Sequence, residues 1–435
     1  MRTPPEGSVG RVGAWALIRG RPAYRRVWGA VVVSETGDWL LFIALPLYVL
    51  KVSGSALDTS TVFLAELIPA VVIGIVCGPL IDRWAPGRLL ARVTAAQAIL
   101  LLPLLWVGPS ALWIVYVVAG LQAAAASLTM PALQAFVPGL VAAGELPGAN
   151  ATVEMASNAA RLIGSPLGGL LFAALGLKAL VHGDMISFVA SAGLLAGCAR
   201  PTDAPRPTDA PRPMDVGRRG AIAEGWRAIR RAPTLVAALT VSFLAAIAQG
   251  LFLVLFVFFV LRLLHAGDEV VGLLRGVQAI GGVVGGLVVG SWAMRLSPRA
   301  LAVSGLASFG LLSLLTWNSP ALTTATWWYV ALFIAVGIPA TALATGLLTG
   351  TQAASPPSVR GRVLSLLAVA QALGQGVGIL AAGLLAGRVS LGLLLNLQAS
   401  CYLACAGVAV IGFARPPPLH TYTRRVRLDR PRERA

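Results

Sequence analysis

Gly78-Pro79-Leu80-Ile81-Asp82-Arg83-Trp84-Ala85-Pro86-Gly87-Arg88 is the stretch on which the reading of this chain turns. It sets one acid, two arginines and several helix breakers directly after Thr59–Ile81, an apolar run of the length that spans a hydrocarbon core of roughly 30 Å. Leu89–Val107 then begins a second such run. Charges between two runs of this kind belong in water or among lipid headgroups. The stretch therefore reads as a tight loop joining two membrane helices.

The composition agrees. The 435 residues are 57% hydrophobic and 12% charged, whereas soluble domains carry about 25% charged residues. A backbone facing lipid must satisfy its own hydrogen bonds, so the apolar runs should be helices. The net charge of +17 would suit nucleic acid, but its distribution argues for a bilayer. Of the 34 basic residues, roughly 28 fall on one side of the expected membrane, about four on the other and about two within helices. That asymmetry makes both termini, the Asp82 loop and the middle linker cytoplasmic, where basic charge meets anionic lipid and no nucleic acid is expected. Cys77, Cys198, Cys401 and Cys405 all lie inside apolar runs and read as small core residues, with neither disulfide nor metal spacing. No nucleotide motif or nucleophile–base pairing marks an enzyme, and no cofactor is expected. The first apolar run has no small-residue cleavage site after it and should remain as a membrane helix. Scarce lysine beside abundant arginine, alanine and glycine suits a high-GC bacterium, hence a multi-pass protein of the bacterial inner membrane.

Twelve spans can be marked: 27–50, 59–81, 89–108, 111–137, 149–175 and 177–199 in the first half, then 234–261, 269–294, 299–317, 322–354, 362–386 and 390–414. The expected organisation is an all-α membrane protein: a cytoplasmic segment 1–23, a six-helix bundle 24–199, a linker 200–233, a second six-helix bundle 234–414 and a basic tail 415–435. The linker opens with Pro201-Thr-Asp-Ala-Pro-Arg206, repeated at once through Arg212. Such a polar, proline-rich repeat has no apolar area to bury. It continues into Gly217–Ala232, where Trp226 and Ile229 sit among Arg227, Arg230 and Arg231, the pattern of an amphipathic helix on the inner leaflet. The halves also resemble each other: Gly290-Ser-Trp-Ala-Met294-Arg-Leu-Ser-Pro aligns with the Gly78 loop, six helices apart, with Met294 in place of Asp82.

Charges inside spans are costly and mark functional candidates. The first span carries Ser34-Glu35-Thr36-Gly37-Asp38-Trp39, with Glu35 and Asp38 on one helix face and Asp38 roughly 18 Å past the helix start, near the midplane. Glu66 in the second span comes to a similar depth. In the fifth span Glu154, Asn158 and Arg161 share a face. A carboxylate in a low-dielectric site can trade a proton near neutral pH, and a movable arginine beside it ties that exchange to conformation. Asp38 and Glu35 are thus candidate proton-coupling acids, with Arg161 as counter-charge and Glu66 as an accessory. A static buried ion pair accounts for the same pattern. In the second half Arg275 is the charge well inside a span, and Asp268 is expected to neutralise it.

Several motifs carry a resemblance. The Gly78–Arg88 loop resembles the loop signature of the major facilitator superfamily, with Ala85 and Pro86 where further basic residues are usual. Arg161-Leu-Ile-Gly164-Ser165-Pro166-Leu-Gly168-Gly169 resembles the fifth-helix antiporter signature of drug exporters, its proline displaced by one. Tyr24-Arg-Arg-Val-Trp28 with Ser34-x-x-Gly-Asp38-Trp39, Pro131-Ala-Leu-Gln leading to Ala149-Asn150, Glu224-Gly-Trp-Arg and Arg360-Gly-Arg362-Val together look like the macrolide-efflux-type drug:proton antiporters. The likeness extends from about Tyr24 to Ala414, although the arginine usual in the fourth helix is missing. It implies the major facilitator fold and export of a small amphipathic substrate against protons by a monomer. It also implies a cytoplasmic gate in which Asp82 faces the positive end of the eleventh helix near Gly361, with Gly78, Arg83 and Arg88 at that contact. The substrate would lie between the halves, where Trp39, Phe42, Gln122, Gln249, Phe252 and Phe256 are candidate cavity residues. Rival readings are export of an endogenous metabolite, such as a self-made antibiotic or siderophore, and a non-transporting sensor or scaffold.

Overall fold

The computed structural model describes residues 14–76, 84–198, 218–292 and 296–413. Gly78, Asp82, Arg83, Met294, the proline-rich repeat and the basic tail lie outside the described residues. Among those described there are helices and no strands. In chain order they are α1 (Ala14–Gly20), α2 (Pro22–Ser53), α3 (Ala56–Val76), α4 (Pro86–Leu100), α5 (Leu112–Phe136), α6 (Leu146–Ala196) and α7 (Arg218–Arg231). The second half follows with α8 (Pro233–Phe258), α9 (Asp268–Trp292), α10 (Pro298–Asn318), α11 (Thr326–Ala335), α12 (Gly337–Ala354), α13 (Arg360–Leu385) and α14 (Leu391–Gly412).

Eleven stretches of the described residues are long and apolar enough to cross a bilayer. One of them, α6, has 51 residues, about 77 Å at 1.5 Å per residue and more than twice the hydrocarbon thickness. Its backbone breaks at Gly176 (φ 73°, ψ −178°), a conformation that only glycine reaches without strain. The break falls in the one-residue gap between the expected spans 149–175 and 177–199. Gly54 closes α2 in the same spirit, taking up φ 67° so that its N–H bonds the Leu50 carbonyl.

Three buried clusters show how the halves meet. One joins both halves, setting Leu47 and Leu50 of α2 with Leu255 of α8, Phe259 just after it and Leu274 of α9. The second holds Tyr24, Leu133 and Ala156 of the first half alone, and the third Leu235, Val363 and Tyr402 of the second half alone. Tyr24 and Leu235 begin α2 and α8, whereas Leu50 and Phe259 lie near their ends. The halves are therefore packed together at the end where α2 and α8 finish, and each has its own core at the end where they begin.

Small-residue seams run both across the halves and within the second half. α9 lies on α6 across the halves: a Cβ on Gly276 would come within 2.6 Å of Pro166 Cδ, and one on Gly169 within 3.1 Å of Glu269 Cα. Helices in lipid gain little from hydrophobic burial against one another, so backbone approach of this kind supplies much of their dispersion contact. Within the second half, Gly281 and Gly285 of α9 press on Gly337 of α12, so the Gly281–Gly286 run is a packing face.

The expected amphipathic helix is present as α7, but its apolar face is spent on protein. Ile229 is 1% exposed in the core of the second half, and Glu224 forms an ion pair with Arg362 at the start of α13. A Cβ on Gly225 would stand 3.1 Å from Arg362 Cβ. Trp226 of the same helix is exposed.

The α6–α9 contact predicts that Gly276→Leu lowers stability by about 1–3 kcal/mol or prevents folding, as overpacking does. Gly282→Leu, on the same helix with open space at its Cβ, should leave the thermal midpoint in detergent nearly unchanged. Equal midpoints for the two variants would contradict the contact.

Candidate functional site

The Ser34–Trp39 segment lies in the middle of α2, and Gly37 lets the second limb of α6 close on it. A Cβ at Gly37 would land on the Asp184 carboxylate and the Ser187 hydroxyl. Beside that contact opens a cavity of about 450 Å³, lined by Glu35, Asp38, Glu66 and Asp184 together with Trp39, Phe42, Gln97 and Gln122. Four carboxylates on three helices, α2, α3 and α6, thus share one wall, and among the described residues no basic side chain lines it. Asp38 is open to the cavity. Glu35 accepts a hydrogen bond from Ser157 (2.9 Å). Asp184 is 1% exposed and accepts one from Ser187 (3.0 Å). Gln122 donates to the Gln97 carbonyl (2.9 Å).

Asp184 is absent from the sequence expectations. The signal was there: an aspartate in mid-span, in the 177–199 run, carries the same cost as Asp38. What a linear reading does not give is the packing of the second limb of α6, past the turn at Gly176, against Gly37 of α2.

Arg161 forms no ion pair with Asp38 among the described residues. It donates to Gln278 of α9, in the other half, and its guanidinium lies over the Trp39 ring, 5.1 Å from the centroid. Trp39, the neighbour of Asp38, occupies the face on which an Asp38–Arg161 pair would form. Arg275 is likewise not neutralised by Asp268. Asp268 is 5% exposed and pairs with Lys51 at the end of α2, because α9 starts beside that end of α2. Arg275 instead faces Phe42 and Phe252, at 5.5 and 5.1 Å.

A second cavity of about 440 Å³ lies against α8, α9, α10 and α12 and is bounded by Arg161 and Arg275 together with Gln249, Phe252, Gln278 and Trp317. Both volumes suit drug-sized ligands. Of the expected cavity residues, Trp39, Phe42 and Gln122 line the acidic cavity, while Gln249 and Phe252 line the basic one. Phe256 lines neither: it is 3% exposed and packed on Phe333 with ring centroids 5.4 Å apart, part of the seam that joins the halves.

The antiporter-like segment has two packed sides. Gly164 and Gly168 lie on α2, where added Cβ atoms would reach the Thr36 carbonyl at 2.6 Å and the Leu40 carbonyl at 2.9 Å, whereas Pro166 and Gly169 lie on α9. Of the expected gate, Arg88 and Gly361 are exposed at the first turns of α4 and α13, and Gly78, Asp82 and Arg83 fall outside the described residues. Two pairs of the resemblance motifs touch one another. The Tyr24 hydroxyl donates to the Ala149 carbonyl (2.8 Å) and the Trp28 indole to the Thr152 carbonyl (3.0 Å), while Glu224 pairs with Arg362. These motifs are clasps between helices.

Comparison with known proteins gives this geometry a family. The sequence model described as Major Facilitator Superfamily matches residues 27–264 and 238–432. The chain is 26% identical over 224 residues to the uncharacterized MFS-type transporter YfiS of Bacillus subtilis (strain 168), covering 51% of this chain and 53% of that protein. It is 30% identical over 157 residues to the multidrug efflux pump Tap of Mycolicibacterium fortuitum, covering 34% of this chain and 38% of Tap. The chain thus spans about half the length of the first of these relatives and less of the second. Among solved structures, a bacterial homologue of the iron transporter ferroportin in an inward-facing state is similar with a TM-score of 0.71 at 16% identity, covering 90% of this chain and 99% of that one. A point mutant of the nucleoside transporter NupG reaches a TM-score of 0.73 at 12% identity over 90% of this chain and 100% of its own. At these identities the likeness is one of fold alone.

The Gly37 contact predicts that Gly37→Ala, by driving α2 and α6 apart, costs about 1–3 kcal/mol and disturbs the acid wall. Gly29→Ala, whose Cβ would meet Leu194 at an ordinary 3.8 Å, should be tolerated. Matching unfolding midpoints for the two purified variants would refute the assignment.

Proposed function

Because the chain belongs to the Major Facilitator Superfamily, we propose that it is a twelve-span exporter of small amphipathic compounds driven by proton entry, and not an enzyme. Eleven apolar stretches, one of them broken at Gly176, support twelve crossings in two six-helix bundles, 24–199 and 234–414. The excess of arginine on one side supports cytoplasmic termini in a bacterial inner membrane. With that orientation, the end at which the halves are joined faces outward and the end with separate cores faces the cytoplasm, so the state is open inward. Lys51–Asp268 is then an outer latch. Asp82, with Gly78, Arg83, Arg88 and the α13 start at Gly361, forms the opposing inner gate when the halves rock.

One observation carries the proton coupling: Glu35, Asp38, Glu66 and Asp184 line one cavity without a basic side chain among the described residues that line it. A carboxylate held ionised in such a site costs several kcal/mol unless opposite charge compensates it. The wall must therefore take up positive charge and release it as the cavity changes its access. Protons do this without occupying the space a substrate needs. Asp38, open to the cavity, exchanges them; Glu35 and Asp184 set its local charge, and Glu66 faces it from α3. Arg161 belongs to the substrate side, held by Gln278. The pivot is the α6 segment Gly164–Gly169, packed on α2 and α9 together.

Trp39, Phe42, Phe252 and Gln249 suit an amphipathic body carrying polar groups. Macrolide-like drugs are one such class, which the resemblance supports; the similarity to Tap, a multidrug efflux pump, supports drug export in general. A self-made or secreted metabolite is the second reading, favoured by the arginines of the basic cavity.

Cells expressing the chain should expel one or more of a panel of macrolides, dyes and organic acids in a protonophore-sensitive way. Asp38→Asn should lower that efflux at least tenfold while the protein still reaches the membrane. Efflux that survives both treatments would overturn the coupling. Lys51→Ala should raise thiol labelling of Phe256→Cys from outside several-fold, since a half-exposed ion pair contributes about 1 kcal/mol. An unchanged labelling rate would remove the latch.

A further inference from the structure

Arg275 is the most conspicuous unspent charge in the described residues. It is 7% exposed, and none of the three ion pairs described includes it. The acid one would assign to it, Asp268, is taken by Lys51. What it touches are the rings of Phe42 and Phe252. Cation–π contacts contribute about 0.5–2 kcal/mol each, less than the several kcal/mol that an uncompensated buried ion costs. A second arginine shares its cavity. Arg161 is anchored through one guanidinium nitrogen to Gln278, and its Nε is buried without an acceptor. Two cations facing one cavity repel each other until an anion enters.

The acids do not supply that anion. All four line the other cavity, and Trp39 and Phe42, stacked edge to face at 5.0 Å, present their rings to the two arginines. The basic cavity thus has positive donors at one side, Phe252, Trp317 and Phe333 as apolar walls, and Gln249 as a further polar group. A guanidinium offers two parallel N–H donors that match a carboxylate, a geometry that lysine lacks.

We infer that Arg275 and Arg161 form a subsite for the anionic group of the transported molecule, which is an amphipathic organic anion: a carboxylate on an aromatic or otherwise apolar body. This rests on the transport reading above and narrows its substrate class. Proton entry against export of an anion also suits the division of the site, with protons handled at the acid wall and the substrate's charge at the arginines.

The test is equilibrium binding of 2-naphthoate, 2-naphthamide and 2-naphthylmethylammonium to the full-length protein in lipid nanodiscs. The three probes share one apolar body and differ in charge. The naphthoate should bind about tenfold to a hundredfold tighter than the amide, as charge-assisted hydrogen bonds allow, and the cation more weakly than either. Arg275→Gln should erase the preference and Arg275→Lys should retain part of it. Arg161→Gln should weaken it, which covers the case in which Arg275→Gln fails to fold. Arg388→Gln, exposed and remote from the cavity, should keep it. Naphthoate binding no tighter than the amide, including no binding of either, overturns the inference, as does a preference that survives both Arg275→Gln and Arg161→Gln. Naphthoate preference without proton-driven efflux of any compound would sink the transport reading alone. Efflux without the preference would sink this inference alone.

Discussion

An ionised group inside a bundle of hydrophobic thickness must be compensated, and in this protein the compensation is not made locally. Acids and arginines are both present at the level of the first helix, yet they do not pair. Trp39 and Phe42 stand between them, lending their faces to Arg161 and Arg275 and leaving Asp38 on the acid wall. Had Arg161 closed on Asp38, the site would be electrically satisfied and inert. Keeping the charges apart leaves one cavity short of positive charge and the other short of negative charge. That is the electrical condition under which a proton and an anionic solute can be handled by one molecule.

The mechanics depend on how closely helices of different halves approach. Gly272 of α9 meets the backbone of Ser165 and Gly169 of α6, and Gly276 fits against the Pro166 ring. Apart from the Pro166 ring, such a contact has few interlocking side chains to break and can act as a pivot. Stability at either end then rests on specific contacts. At the joined end it comes from the shared core and the Lys51–Asp268 pair. At the open end each half is held by its own clasp, Tyr24 and Trp28 on the start of α6 in one, Glu224–Arg362 in the other.

Much of this is legible in the chain. Apolar run length and the placement of arginine indicate membrane helices and their order, and the gap at residue 176 anticipates the turn at Gly176. Asp38, Glu35 and Glu66 are recognisable because a charge in lipid has few uses, and all three line one cavity. The same rule applied to the sixth span would have found Asp184. Pairing is what a linear reading misses. Arg161 and Asp38 lie at similar depth, but depth does not reveal the ring of Trp39 between them. Asp268 lies seven residues from Arg275, but the end of α2 brings Lys51 to it first. Phe256 has the composition of a cavity residue and the position of a seam residue, since only the packing of α8 on α11 decides which way it points.

The central claim, that the acid wall ties proton movement to the movement of a solute, is tested most directly in proteoliposomes with an internal pH dye. A compound found to be expelled from cells is loaded inside, and the outside is made acid. The account predicts that the compound accelerates proton entry with wild-type protein and fails to do so with Asp38→Asn. Proton entry that ignores the compound in wild type, or an acceleration that persists in Asp38→Asn, would contradict it.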